Sequence, residues 1–178
     1  TGWFSWFADA LHLVFTMMAI AWTIGMVGWP KYFSLPMELF LIPIIGFFVS
    51  KAVFGIVLYR KRVPCSWHDT IMASIASMGL SHAIARGIFL GLWKKKGEFV
   101  RTAKSRRLSS KPSAFASVRE ELLMFLALLA CIFGMINSNA ITYTEGKLWI
   151  GILAAQAIPY ASALIGAWVA HQSNEAMA

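Results

Sequence analysis

Apolar residues fall into five runs: about Trp3 to Trp29, Leu35 to Tyr59, Trp67 to Trp93, Val118 to Ile136 and Leu148 to Val169. A helix needs about 20 predominantly apolar residues to cross a bilayer. Four of the runs meet that length easily. The third is the exception, because it carries Asp69, His82 and Arg86 together with several Ser and Gly. One long polar stretch breaks the pattern between the third and fourth runs. In Lys94–Arg107, seven of the fourteen residues are Lys or Arg. Lying between two apolar halves, it is expected to be a loop in water beside a membrane.

Charge placement orients these elements. Basic residues concentrate in cytoplasmic loops. Arg60, Lys61 and Arg62 precede the third run, and the Lys94–Lys111 stretch follows it. A third run that crossed the membrane would put one of these basic loops outside. A third run that stays at the cytoplasmic face keeps both inside, and the remaining short loops then carry only Lys31 and Lys147. The expected fold is therefore an all-α integral membrane protein with four transmembrane helices plus one interfacial or re-entrant helix, and both termini in the cytoplasm. Its parts are two transmembrane helices (1–60), a basic turn and interfacial helix (61–93), a cytoplasmic loop (94–117), two more transmembrane helices (118–170) and a cytoplasmic tail (171–178).

Within the third run, Ala73, Ala76, Ala83, Gly87 and Gly91 form a stripe at helical spacing. Small residues so placed allow close helix approach, so the stripe predicts a contact face. Ile71, Ile75, Met78, Phe89 and Leu92 fall on the opposite side. Pro43 and Pro159 each remove a backbone donor and favour a kink. There is no internal repeat, which weakens an inverted-repeat transporter reading.

Composition agrees with the pattern. The chain is 58% hydrophobic and 13% charged, with a mean hydropathy of +0.65 and a formal net charge of +8. Soluble domains carry about 25% charged residues. The positive charge sits beside apolar spans, and only Phe99 and Phe115 accompany it as isolated aromatics. No stacking platform for nucleic acid results. Cys65 and Cys131 are the only cysteines, so neither a disulfide nor a metal site is expected. No cleaved signal peptide is recognised, and the chain opens on Thr1, which is read as the start of a piece of something longer.

Ionisable and polar groups inside apolar spans usually face a cavity or one another. Asp9 and His12 share a helical face, with Thr16 following. They suit either a polar lining at a channel entrance or an interfacial hydrogen-bonded pair. Lys51 lies about 13 Å into the second run at 1.5 Å per residue; it either snorkels or lines a path. His82 and Arg86 are four apart on one flank, and structural contacts are their more common role. Gln156, Tyr160 and Ser162 suit a polysaccharide or a neighbouring helix. Trp3, Trp6, Trp29, Trp67, Trp93 and Trp149 fall near run ends, as in an aromatic belt, whereas Trp22 and Trp168 lie deeper.

The basic loop contains Phe99-Val-Arg-Thr-Ala-Lys104, of the form Phe-x-x-Thr-x-Lys. It resembles the gating-loop motif, Phe-x-Val-Thr-x-Lys, of the processive family 2 glycosyltransferases, the cellulose-synthase-like membrane enzymes. Arg101 departs from the family pattern at the Val position. That departure, with Ser81-His-Ala-Ile-Ala-Arg86 upstream, looks more like the bacterial β-(1→3)-glucan and cyclic-glucan branch. The element order agrees over nearly the whole chain: two spans, an interfacial helix, the gating loop, two more spans.

The resemblance implies a loop that closes over UDP-glucose at the cytoplasmic mouth of a channel in a bacterial inner membrane. Phe99 and Thr102 would approach the nucleotide, while Arg101, Lys104, Arg106 and Arg107 would face its diphosphate. Movable cations there would neutralise the leaving group and exclude water. It implies channel lining by Asp9, His12, Lys51, His82, Arg86, Gln156 and Tyr160. The family's catalytic aspartates and its Gln-x-x-Arg-Trp motif belong to an upstream cytosolic domain. Asp9 and Asp69 are the only aspartates here and that motif is missing, so no catalytic residue and no cofactor is expected in this chain. Mg or Mn would belong to that upstream domain. The implied partners are that domain, the nucleotide-sugar, the β-glucan and membrane lipid, with no nucleic acid. The alternatives are a small non-enzymatic helical subunit that scaffolds a larger complex, with its basic loop on anionic lipid, and a transporter or channel component.

Overall fold

In the computed structural model, residues 2–34, 37–49, 54–93, 118–138 and 144–175 are described. These described residues form seven α-helices: α1 (Gly2–Gly28), α2 (Met37–Phe48), α3 (Phe54–Arg62), α4 (Trp67–Gly79), α5 (Ser81–Trp93), α6 (Arg119–Asn137) and α7 (Thr144–Glu175). No strand occurs among the described residues. The chain is an all-α membrane protein. Among the described residues, four helical stretches are long and apolar enough to cross a bilayer: Trp6–Gly28, Trp67–Trp93, Arg119–Asn137 and Thr144–Gln172.

Length and composition alone include the third run among these four. The third run, expected at the interface, forms two 13-residue helices that meet at Leu80, and together they hold an 18-residue window of mean hydropathy 1.4, apolar and long enough to cross. Its polar residues argued against a span, but two of them are paired within the protein. Arg86 Nη1 lies 2.9 Å from Glu120 Oε1, and His82 Nε2 lies 3.4 Å from Glu120 Oε2. Pairing lowers the cost of charge in an apolar medium. In the second run, α2 and α3 are described on either side of residues 50–53.

Local chemistry sets the helix ends. Pro30 cannot donate and restricts Trp29, so α1 stops at Gly28. The chain then turns, and the Trp22 indole N–H reaches back to the carbonyl of Ser34 at 2.9 Å. Phe33 packs edge-on against Trp22 with centroids 5.4 Å apart. Gly25 makes room for that ring, since a Cβ there would lie 2.8 Å from Phe33. At α4, Ser66 and Asp69 form a reciprocal capping box, and Arg60 stacks over the Trp67 ring at 4.2 Å. Helices α4 and α5 meet at Leu80. The backbone ladder bridges it, from Leu80 N to Ala76 O and from Ile84 N to Leu80 O.

The break at Leu80 matters because the two halves choose different partners. Helix α4 packs on α7, and α5 packs on α1. The stripe expected to make one close contact does not make it. Ala76, Ala83, Gly87 and Gly91 are exposed, and a Cβ at Gly87 or Gly91 would meet nothing within 4 Å. The close approach is at Gly79, where a Cβ would lie 3.1 Å from Ala163 N and 3.2 Å from its Cα. The buried face of α5 is instead Ser81 and Ala85.

The bundle is apolar outside and mixed inside. Met17, Ile24, Ile42, Leu123, Phe133 and Ile165 point outward, while Asp9, His12, Thr16, Thr23, Gln156 and Ser162 are buried. Water-soluble domains show the reverse preference; lipid as solvent accounts for this one. The apolar core centres on Phe40, packed edge-on between Phe15 and Trp149 with centroids at 5.8 and 5.0 Å. Trp149, expected in the aromatic belt, is fully buried in that core. Trp6, Trp29, Trp67 and Trp93 are exposed near helix ends, as a belt requires.

Candidate functional site

On α1, positions 9, 12, 16, 19, 23 and 26 are all buried. Their alternating spacing of three and four keeps them on one helical face. Asp9, His12, Thr16 and Thr23 supply its polar groups. On α7 the matching face carries Trp149, Leu153, Gln156, Tyr160 and Ala163. Two contacts fix the register between the faces. Trp149 Nε1 donates to Thr23 Oγ1 at 3.0 Å. Eleven residues back along α1 and eleven on along α7, the rings of His12 and Tyr160 lie 5.8 Å apart. The helices therefore run antiparallel, and the same count puts Thr16 level with Gln156 and Asp9 level with Ala163.

A polar lane follows between them. Each threonine also hydrogen-bonds one turn back on its own helix, Thr16 to the His12 carbonyl at 2.8 Å and Thr23 to the Ala19 carbonyl at 2.7 Å. The His12 ring stacks on Phe47 of α2 at 4.2 Å. Gln156 is fully buried, and neither its amide oxygen nor its amide nitrogen has a hydrogen-bond partner among the described residues. The Tyr160 hydroxyl is also buried, near the Thr16 hydroxyl. Buried polar atoms left unpaired are uncommon and costly.

Tyr160 connects the lane to a charged cluster, since its ring lies 5.8 Å from His82. His82 and Arg86 project from one flank of α5 and converge on Glu120. Glu120 and Glu121 occupy the first turn of α6, where the helix dipole favours anions. A cavity of about 470 Å³ adjoins the cluster, lined by His82, Arg86, Gly87, Arg119, Glu120 and Glu121 among others. A second, of about 430 Å³, shares His82, Arg86 and Glu120 as a wall and is otherwise apolar, with Leu13, Met17, Phe89, Leu90, Trp93 and Met124.

The residues expected to be functional thus divide. His12, His82, Arg86 and Tyr160 meet in one continuous set of contacts, and Asp9 and Gln156 lie one turn from His12 and Tyr160 on the same faces. Ser162 donates to the Ile158 carbonyl at 2.9 Å. Phe99, Arg101, Thr102, Lys104, Arg106, Arg107 and Lys51 lie outside the described residues. Glu120, Glu121 and Thr23 were not singled out from sequence. The adjacent acids opening an apolar run, next to a stretch of cations, are the signal that could have found the first two. No group of three or more metal-ligating side chains clusters among the described residues. The chain matches no protein-family model, no curated protein and no solved structure.

Proposed function

We propose that this chain is the channel and gating-loop portion of a processive family 2 glycosyltransferase. In that reading it lies in a bacterial inner membrane with both termini cytoplasmic. The full enzyme polymerises glucose from UDP-glucose, using a metal-dependent domain upstream, and passes the β-glucan outward. The observation that carries the proposal is the buried lane with its unpaired Gln156 amide. A polymer of hydroxyls is the kind of occupant that such groups bind. The resemblance of Phe99-Val-Arg-Thr-Ala-Lys104 to the gating motif supplies the enzyme class.

In the transfer step the acceptor hydroxyl gives its proton to a base of the upstream domain and attacks the anomeric carbon, and the diphosphate departs with the bonding electrons. Lys104, Arg101, Arg106 and Arg107 stabilise that developing charge, and Thr102 and Phe99 hold the nucleotide. The test is made in the full-length enzyme. Thr102→Ala and Lys104→Ala lower glucan synthesis roughly 10- to 1000-fold with little change in membrane insertion, as lost charge-stabilising donors do. Lys94→Ala, basic but outside the motif, has little effect. Equal loss in all three, reproduced by high salt, makes the loop a lipid anchor instead.

One observation favours a second reading. Asp9, Thr16 and Gln156 are each 0% exposed, so the lane is closed by packing. Such an interior suits a helical membrane subunit that scaffolds a larger complex.

A further inference from the structure

The two cavities beside α5 form a single amphipathic site. They meet at His82, Arg86, Leu90 and Glu120, which line both. One chamber is lined largely by charged side chains. The other is walled by Leu13, Met17, Phe89, Trp93 and Met124, apart from the shared charged edge. Met124 lies one helical turn beyond Glu120 toward the apolar middle of α6, so the groove leads from the charged end into the hydrocarbon. At about 470 and 430 Å³ each chamber falls in the range of ligand pockets.

Charge selects the occupant. Arg86 and Glu120 already satisfy each other at 2.9 Å. Arg119 and Glu121 remain as one cation and one carboxyl lining the same chamber. Glu121 is 7% exposed, lines this chamber and lies within electrostatic reach of the buried Tyr160 side chain. His82 Nδ1 is buried without a hydrogen-bond partner among the described residues. A ligand that fits brings a cationic donor for Glu121, an anionic group for Arg119 and an apolar chain for the groove.

We propose that this site binds a phospholipid with a primary ammonium headgroup, of the phosphatidylethanolamine class. Its ammonium donates to Glu121, its phosphate meets Arg119, and one acyl chain lies between Met17, Leu90 and Met124. A phosphatidylglycerol headgroup offers Glu121 only neutral hydroxyl donors and brings net negative charge beside two carboxyl groups, with no ammonium to offset it. A phosphatidylcholine headgroup has no N–H to donate. The proposal is independent of the glucan reading.

The test uses the full-length protein, purified in detergent, stripped of lipid and offered dioleoyl lipids at equal mole fraction. Native mass spectrometry counts bound lipid, and thermal melting reads stabilisation. Dioleoyl phosphatidylethanolamine is retained about tenfold more than the phosphatidylglycerol or phosphatidylcholine analogue, as expected for one charge-assisted hydrogen bond. It also raises the melting temperature most. Glu121→Gln removes that preference. Gly87→Leu does the same by filling the polar chamber; a Cβ there meets nothing within 4 Å, so this variant is expected to fold even if Glu121→Gln does not. Water-soluble phosphoethanolamine gives no stabilisation. Equal retention of phosphatidylglycerol overturns the proposal, as does an unchanged preference in folded Gly87→Leu. Stabilisation by phosphoethanolamine alone overturns the lipid and makes the occupant a soluble metabolite.

Discussion

Trp149 donates its indole N–H to the Thr23 hydroxyl at 3.0 Å, across 126 residues of chain, and both side chains are buried. The Thr23 hydroxyl in turn donates to the Ala19 carbonyl at 2.7 Å. The pair is a short relay that joins the first and last helices and sets their antiparallel register.

Removing the acceptor tests that relay. Thr23→Val keeps the shape but leaves the indole N–H unpaired in an apolar interior. The expected loss is about 1–2 kcal/mol, within the range of interhelical hydrogen bonds in membranes. Trp149→Phe also removes the donor and adds a packing defect beside Phe40. The double variant should lose less than the sum of the two, measured by thermal melting or reversible detergent unfolding. Full additivity would mean that the two residues are not coupled.

Glycine position separates the observed helix contact from the one suggested by small-residue spacing. Gly79→Ala should destabilise by about 1–3 kcal/mol, the range for overpacking. Its Cβ would meet Ala163 backbone atoms at 3.1–3.2 Å, and these cannot swing aside. Gly87→Leu, measured in detergent without added lipid, should be nearly neutral because its Cβ meets nothing within 4 Å. Comparing the two melting temperatures decides the matter; a reversed order would move the contact back to the Gly87 stripe.

Gln156 separates stability from activity. Replacing an unpaired buried amide with an apolar side chain of similar size is neutral or stabilising. Gln156→Leu should therefore hold or raise the melting temperature while lowering polymer output of the full-length enzyme. If output is unchanged in the stabilised variant, the lane does not carry the polymer.

Topology is open to labelling. In a Cys65→Ser, Cys131→Ser background, Ser66→Cys and Ser109→Cys should both react with an impermeant thiol reagent only from the cytoplasmic side. Ser66 is exposed at the start of α4, so its accessibility reports which side that end occupies. Labelling from opposite faces makes α4 and α5 together a span.

Several features of this site were legible in the chain because they are periodic. Asp9, His12 and Thr16 recur at helical spacing, so their shared face followed without coordinates. His82 and Arg86, four apart, gave their shared flank in the same way. Glu120 was not legible as their partner, because a contact between residues 34 and more positions apart leaves no local trace.

By itself the sequence determined the solvent and the class of element. Long runs of apolar residues cannot leave backbone groups unpaired in lipid, and helices are the solution that each run satisfies alone. The tertiary structure decided which faces meet. The 67–93 stretch reads as one helix with one small-residue stripe, yet it divides at Leu80 and its halves pack on α7 and α1. Trp149 reads as a belt residue from its place near a run end, yet it is buried because Thr23 and Phe40 surround it. Period and composition are properties of neighbours along the chain. Burial and pairing depend on the element brought alongside, and here the 11-residue step shared by the Thr23–Trp149 and His12–Tyr160 contacts fixes that alignment.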